Sequence, residues 1–288
     1  MRNIQNFKIV TTFLCLWLAV YLSDNLELYL ASFFILTVGL LHGSNDIKII
    51  NHVFRDKKIS FYKALFIYIA IVILGAVLFF FIPKLTLVFF ILVSGFHFGE
   101  QHFHHSVFKN NLLKNLLFIS YGCTIIFLLL FTNNSESIDI IKEITGKKVS
   151  LDMLTNSLLV SLIILALSAG LLYKDIKKPF KELFFLLVFY VVFKVATLFW
   201  AFAIYFVLWH SLPSLIDQIK YLSKDVNKLS LTNYIKSSFI YWLVSVVGLF
   251  VFLNFLFEET NSFYSIFFSF LAAITFPHVF VMSKIFKH

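Results

Sequence analysis

Between residues 94 and 105 the chain reads Ser94-Gly95-Phe96-His97-Phe98-Gly99-Glu100-Gln101-His102-Phe103-His104-His105. Four histidines and a glutamate fall within nine positions, directly after the apolar run Leu85 to Val93. Ionisable side chains at membrane depth are costly and mark functional sites by default. Neutral imidazoles ligate iron, copper, zinc and nickel, so a buried metal site is the chemistry this stretch points to. His97, Glu100, Gln101 and His104 recur at spacings of three, four and seven, which puts them on one side of a helix. Gly95 and Gly99 bracket His97 and would let a second helix approach closely. His104 and His105 fit the wet end of a span. His97, nearest the apolar run, is the hardest to explain as merely solvated.

Three further places carry a histidine on an apolar segment. Gly39-Leu40-Leu41-His42-Gly43-Ser44-Asn45-Asp46 closes a hydrophobic run, and His42 and Asp46 are four apart, on one helical face. A carboxylate there could take the second ring proton of a ligating histidine and fix its tautomer; a plain helix end with a solvated Asp46 is the bland alternative. In Trp209-His210-Ser211-Leu212-Pro213-Ser214, Pro213 bends or ends a helix and could aim His210 into a cavity; an interfacial Trp-His pair would look the same. In Phe276-Pro277-His278-Val279, a proline again precedes a histidine inside an apolar run. Each site alone has a structural explanation. Together, four spans each place a histidine near the same side of the membrane. An all-imidazole site with open positions suits ferrous iron binding dioxygen, because neutral ligands leave the metal's charge largely uncompensated. His52 and His288 sit in basic, solvated regions and are set aside.

These residues need a membrane scaffold. The 288-residue chain is 60% hydrophobic and only 14% charged, with 39 Phe, whereas soluble domains average about 25% charged residues. Its long unbroken apolar runs exclude a membrane β-barrel, whose segments alternate. The expected fold is all-α: a single polytopic membrane domain over 1–288, an integral helical bundle. Spans fall near 7–22, 26–42, 64–82, 85–105, 112–131, 157–173, 182–210, 237–257 and 263–283. Since about 20 residues cross a bilayer, 182–210 is long for one crossing and short for two, giving eight to ten in all. The N-terminal run, with Arg2 and Lys8 before it, reads as an uncleaved first span.

The net charge of +9 falls mostly between the apolar runs. It fits topology and anionic headgroups and does not call for nucleic acid. Lys48, Arg55, Lys57, Lys58 and Lys63 place loop 43–63 inside, and the four lysines of 174–181 do the same there. Loop 132–156 reads as external and polar. The lysines of 217–236 and the acidic stretch 258–262 fit best if 182–210 crosses twice. Cys15 and Cys123 are too few for a disulfide framework.

In order, Gly-x-x-His-Gly-x-x-Asp at 39–46, His-Phe-Gly-Glu at 97–100, His-Ser-x-Pro-Ser at 210–214 and Pro-His at 277–278 resemble the Brp/Blh family of membrane β-carotene 15,15′-dioxygenases. The resemblance runs from about residue 26 to the end. It implies cleavage of the central double bond of β-carotene by O2, giving two molecules of all-trans-retinal, at Fe(2+) held by histidines in the cell membrane. By motif match the ligands are His42, His97, His210 and His278, with Asp46 and Glu100 orienting imidazoles. The family pattern has an acidic residue soon after His-Phe-Gly-x; here the chain reads Gln101-His102, and His102 joins the supporting candidates. Trp200 and Trp209, with part of the Phe excess, are candidates to line a tunnel for a bilayer-dissolved hydrocarbon. Hand-off of retinal to a rhodopsin stays open. Two rivals remain: a di-iron desaturase or hydroxylase, which needs around eight clustered histidines, and a non-enzymatic transporter or carotenoid-binding protein with histidines as a proton relay.

Overall fold

Helices that are apolar on every side can be buried only in other helices or in lipid, and most of this chain is of that kind. A computed structural model describes residues 2–53, 60–256 and 263–285. Arg55, Lys57 and Lys58 of the basic loop, the acidic stretch 258–262, and Lys287 and His288 lie outside the described residues. Among the described residues all regular structure is helical. The order is α1 (Arg2–Tyr21), α2 (Asp24–Phe34), a π-helical turn (Ile35–Gly39), α3 (Leu40–Gly43), α4 (Asp46–Val53), α5 (Phe61–Phe81) and α6 (Pro83–Phe103). Then come α7 (Asn111–Thr132), α8 (Asn134–Thr145), α9 (Leu151–Leu171), α10 (Pro179–Val195) and α11 (Leu198–Ala203). A second π-helical turn (Ile204–Ser211), α12 (Leu212–Ser223), α13 (Lys228–Leu256) and α14 (Phe263–Ile285) complete it.

Eight helical segments among the described residues are long and apolar enough to cross a membrane. The chain is therefore an all-α, multi-pass membrane protein. α6, with its polar last third, and the 17-residue α10 are not among the eight. Outward-facing Phe66, Phe80, Ile163 and Val244 are exposed, as expected for a lipid-facing surface.

The segment 182–210 is two helices, not one. Aromatic pairs Phe185–Trp209 at 4.5 Å and Phe189–Tyr205 at 5.1 Å show α10 and the following segment running antiparallel. The break at Ala196–Thr197 is held by two glutamates. Glu27 accepts from the Thr197 N–H at 3.0 Å and its hydroxyl at 2.5 Å, and Glu136 accepts from the Leu198 N–H at 3.2 Å. A carboxylate at a helix start satisfies donors that the helix itself cannot. Burial pushes the Glu136 carboxyl up, with the Leu198 bond opposing. Two polar regions between the spans are largely helical: 132–156, read as a loop, contains α8, whose Ser137, Ile140 and Ile141 are buried, and most of the lysine-bearing 217–236 lies in α12 and the start of α13.

The chain divides into two compact units. The first comprises Met1–Phe34, Ile91–Lys142 and Lys147–His210; the second comprises Ile35–Phe90, Glu143–Gly146 and Ser211–His288. In the first, α7 packs along α9 and against α10, and α11 against α2. α6 meets α7 through glycines: a methyl at Gly99 would fall on the Phe118 carbonyl, and one at Gly122 on the Gly95 carbonyl. In the second, α14 lies along α5, where a methyl at Gly75 would come within 2.9 Å of the Phe276 ring. α12 and α13 pack on α3.

Candidate metal centre

Each unit buries a pair of histidines in ring contact. In the second unit these are His42 on α3 and His278 on α14. Both are buried, and their rings meet edge to face with centroids 4.7 Å apart. The first π-helical turn leads directly into α3. A π turn disturbs the regular backbone ladder and recurs at functional sites; here the Gly39 carbonyl meets His42 Nδ1, and the Leu36 carbonyl accepts from Trp242 Nε1 at 2.6 Å. His278 Nδ1 lies 3.0 and 3.1 Å from the two oxygens of Asp46, and the Tyr68 hydroxyl donates to the same carboxylate at 2.9 Å. A neutral imidazole that gives its Nδ1 proton away keeps its lone pair on Nε2. Carboxylate and carbonyl partners of this kind orient ligating histidines in metal sites.

Asp46, which opens α4 after the turn that follows α3, thus serves His278, 232 positions away. A hydrogen-bond network fixes the α3 backbone as well. The Tyr234 hydroxyl lies 3.1 Å from the His42 carbonyl and donates to Gln218 Oε1 at 2.7 Å. Gln218 donates to Ser214 at 3.1 Å, and Asn45 donates to the Tyr234 carbonyl at 3.1 Å. Ser214 of the His-Ser-x-Pro-Ser stretch is therefore tied to the helix that carries it.

The first unit holds His97 on α6 and His210 in the second π-helical turn, 1% and 2% exposed. Their centroids are 4.8 Å apart, edge to face. Phe98 at 4.8 Å and Phe206 at 5.4 Å close around the His210 ring. The glycine contacts of α6 with α7 set where His97 sits. Glu100 and Gln101 are buried on the same helix. His102 turns to Glu182 at 2.9 Å, and His104 Nδ1 to the Gln101 carbonyl at 2.6 Å. His105 and His52 are exposed, as expected for solvated positions.

Trp200 and Trp209 are both buried with their indole N–H groups on α1. Trp200 donates to the Cys15 carbonyl at 3.3 Å and Trp209 to the Thr12 hydroxyl at 2.9 Å. Lys8 lies 4.4 Å over the Trp209 ring. Tyr68, Tyr234, Gln218, Tyr121 and Glu182 escaped sequence reasoning. All but Gln218, one turn past Ser214, lie in helices with no motif around them, and a distant partner gives each its role.

A family model described as beta-carotene 15,15'-dioxygenase matches residues 33–286. The chain belongs to this family. All four histidines lie inside the matched region and α1 precedes it. No curated protein and no solved structure matches the chain. The donors that each pair offers are imidazole nitrogens. The four histidines are buried, one ring-contact pair in each unit, and Asp46 supplies an anion to the His278 ring. Nitrogen donors of this kind suit a divalent transition metal rather than calcium or magnesium, which favour oxygen.

Proposed function

We propose that the protein cleaves the central 15,15′ double bond of β-carotene with dioxygen, at one ferrous iron held by His42, His97, His210 and His278, in the cell membrane. The carbon–carbon double bond breaks and each oxygen atom ends in one aldehyde, so one β-carotene and one O2 give two all-trans-retinal. The observation that carries this reading is the pairing of buried imidazoles, one pair in each unit, on the four family motifs. When bound, the iron supplies the activation of dioxygen. Asp46 and Tyr68 hold the His278 ring with Nε2 as its ligating atom, and the Gly39 carbonyl does the same for His42. Phe98 and Phe206 exclude water from the His210 side, and positioning of the hydrocarbon beside the metal selects the bond.

The histidine inventory argues against a di-iron enzyme. Of nine histidines, His52 and His105 are exposed, His104 rests on its own helix and His102 pairs with Glu182. That leaves too few for two clustered irons. The test is metal content of the purified protein together with colour loss in carotene-producing cells. One iron per chain and retinal formation are expected. Two irons per chain would favour the di-iron rival, and unchanged colour with iron and oxygen supplied would favour a non-enzymatic carrier.

A further inference from the structure

His102 and Glu182 form a second buried polar cluster that the proposed chemistry does not use. It lies wholly within the first unit. The His102 Nδ1–H donates to Glu182 Oε2 at 2.9 Å, and the Tyr121 hydroxyl donates to the same oxygen at 3.0 Å. The side chains of His102 and Glu182 are 6% and 12% exposed, and Tyr121 is buried. α6, α7 and α10 each contribute one member. An imidazole and a carboxylate at this depth are expensive unless they do something.

What they touch gives the answer. α6 carries Phe98 and His102 four residues apart, on one face. The second π-helical turn carries Tyr205 and His210, five apart. In an α-helix five residues leave side chains about 140° apart. The wider π turn, with its i to i+5 bonds, brings them to one side. The two rows then interlock. The His102 and Tyr205 rings are parallel with centroids 6.4 Å apart, Tyr205 meets Phe98 edge-on at 5.2 Å, and Phe98 meets His210 at 4.8 Å. Phe189 closes the far side, edge-on to Tyr205 at 5.1 Å and to His102 at 6.2 Å.

We propose that His102, Glu182 and Tyr121 are a hydrogen-bonded brace that positions His210, acting through the Tyr205 and Phe98 rings. This rests on the reading of His210 as an iron ligand. Side-chain entropy would let an aromatic row slide; the two hydrogen bonds to one carboxylate oxygen fix its outer end and so the ligand at its inner end. The three are positioning residues and do not touch substrate.

The test is Glu182→Gln, which keeps size but gives the site an N–H2 that faces donors. Outer partners of metal ligands typically carry about 10–100-fold in activity or metal affinity. The expected result is a kcat lower by about tenfold, with KM little changed and the protein still inserted. The ferrous protein with nitric oxide, a dioxygen surrogate, should show an altered electron paramagnetic resonance signal. Tyr121→Phe, which removes the hydroxyl contacts to Glu182 and His102 without changing shape, should shift the signal the same way and less. It serves as the test if Glu182→Gln does not insert. A wild-type nitrosyl signal left unaltered by both variants, with unchanged kcat, would overturn the brace alone. Absence of any nitrosyl signal in iron-supplied wild type would instead sink the iron reading, and the brace with it.

Discussion

Asp46→Asn is the substitution with the clearest consequence. The wild-type carboxylate accepts two bonds, from His278 Nδ1 at 3.0 Å and from Tyr68 at 2.9 Å, and Asp46 is 1% exposed. An asparagine offers one acceptor and one N–H2 group to two donors. The His278 ring can relieve the clash by moving its proton to Nε2, so that Nδ1 accepts from the amide. That tautomer has no lone pair on the atom assigned to iron. The loss of one charge-assisted bond is worth about 2 kcal/mol, or roughly 30-fold at 1.4 kcal/mol per decade. We therefore expect retinal formation per chain to fall roughly 30-fold, and iron content to fall with it. Tyr68→Phe removes one donor but leaves the His278 tautomer intact, and should cost about threefold to tenfold. The assay is retinal released by solubilised enzyme, normalised to folded protein, with iron measured on the same sample. Full iron content and an unchanged rate in Asp46→Asn would refute the orientation argument.

Other outcomes follow from the same contacts. Gly99→Ala should push α6 off α7, because its methyl would meet the Phe118 carbonyl; overpacking of this kind costs about 1–3 kcal/mol, read as a lower melting temperature in detergent. Thr12→Val leaves the buried Trp209 N–H without its acceptor, at about 1–3 kcal/mol, while Thr12→Ser should restore stability; equal melting temperatures for both would count against the bond. Tyr234→Phe deletes the donor to Gln218 and should lower stability by about 1 kcal/mol with little effect on iron content. Replacing His97 with Ala should abolish cleavage without preventing membrane insertion, which activity and membrane fractionation together report.

The sequence carried most of the spans, the ordered motifs and the glycine flanks of His97, because each depends on local pattern. Gly95 and Gly99 sit where helix packing needs them, and Gly122 completes that contact from α7. Partner choice was not legible. Spacing alone puts Asp46 and His42 on one helical face, yet the chain turns between α3 and α4 and the carboxylate reaches His278 at the other end of the chain. His102 stands where the family pattern has an acidic residue, and nothing local points to its partner Glu182, 80 positions on. Neither π turn has a distinctive composition, since Ile35-Leu36-Thr37-Val38-Gly39 would fit an α-helix equally well. The polar segment 132–156 has a loop-like pattern because the buried face of its short helix α8 is only Ser137, Ile140 and Ile141. In such places tertiary contacts outweigh local pattern, and no one-dimensional reading supplies them.

The most direct test is to give the purified, iron-loaded protein β-carotene in air and count the products. The account predicts two molecules of all-trans-retinal for each β-carotene consumed. Intact β-carotene, or a pair of cleavage products of unequal length, would contradict it.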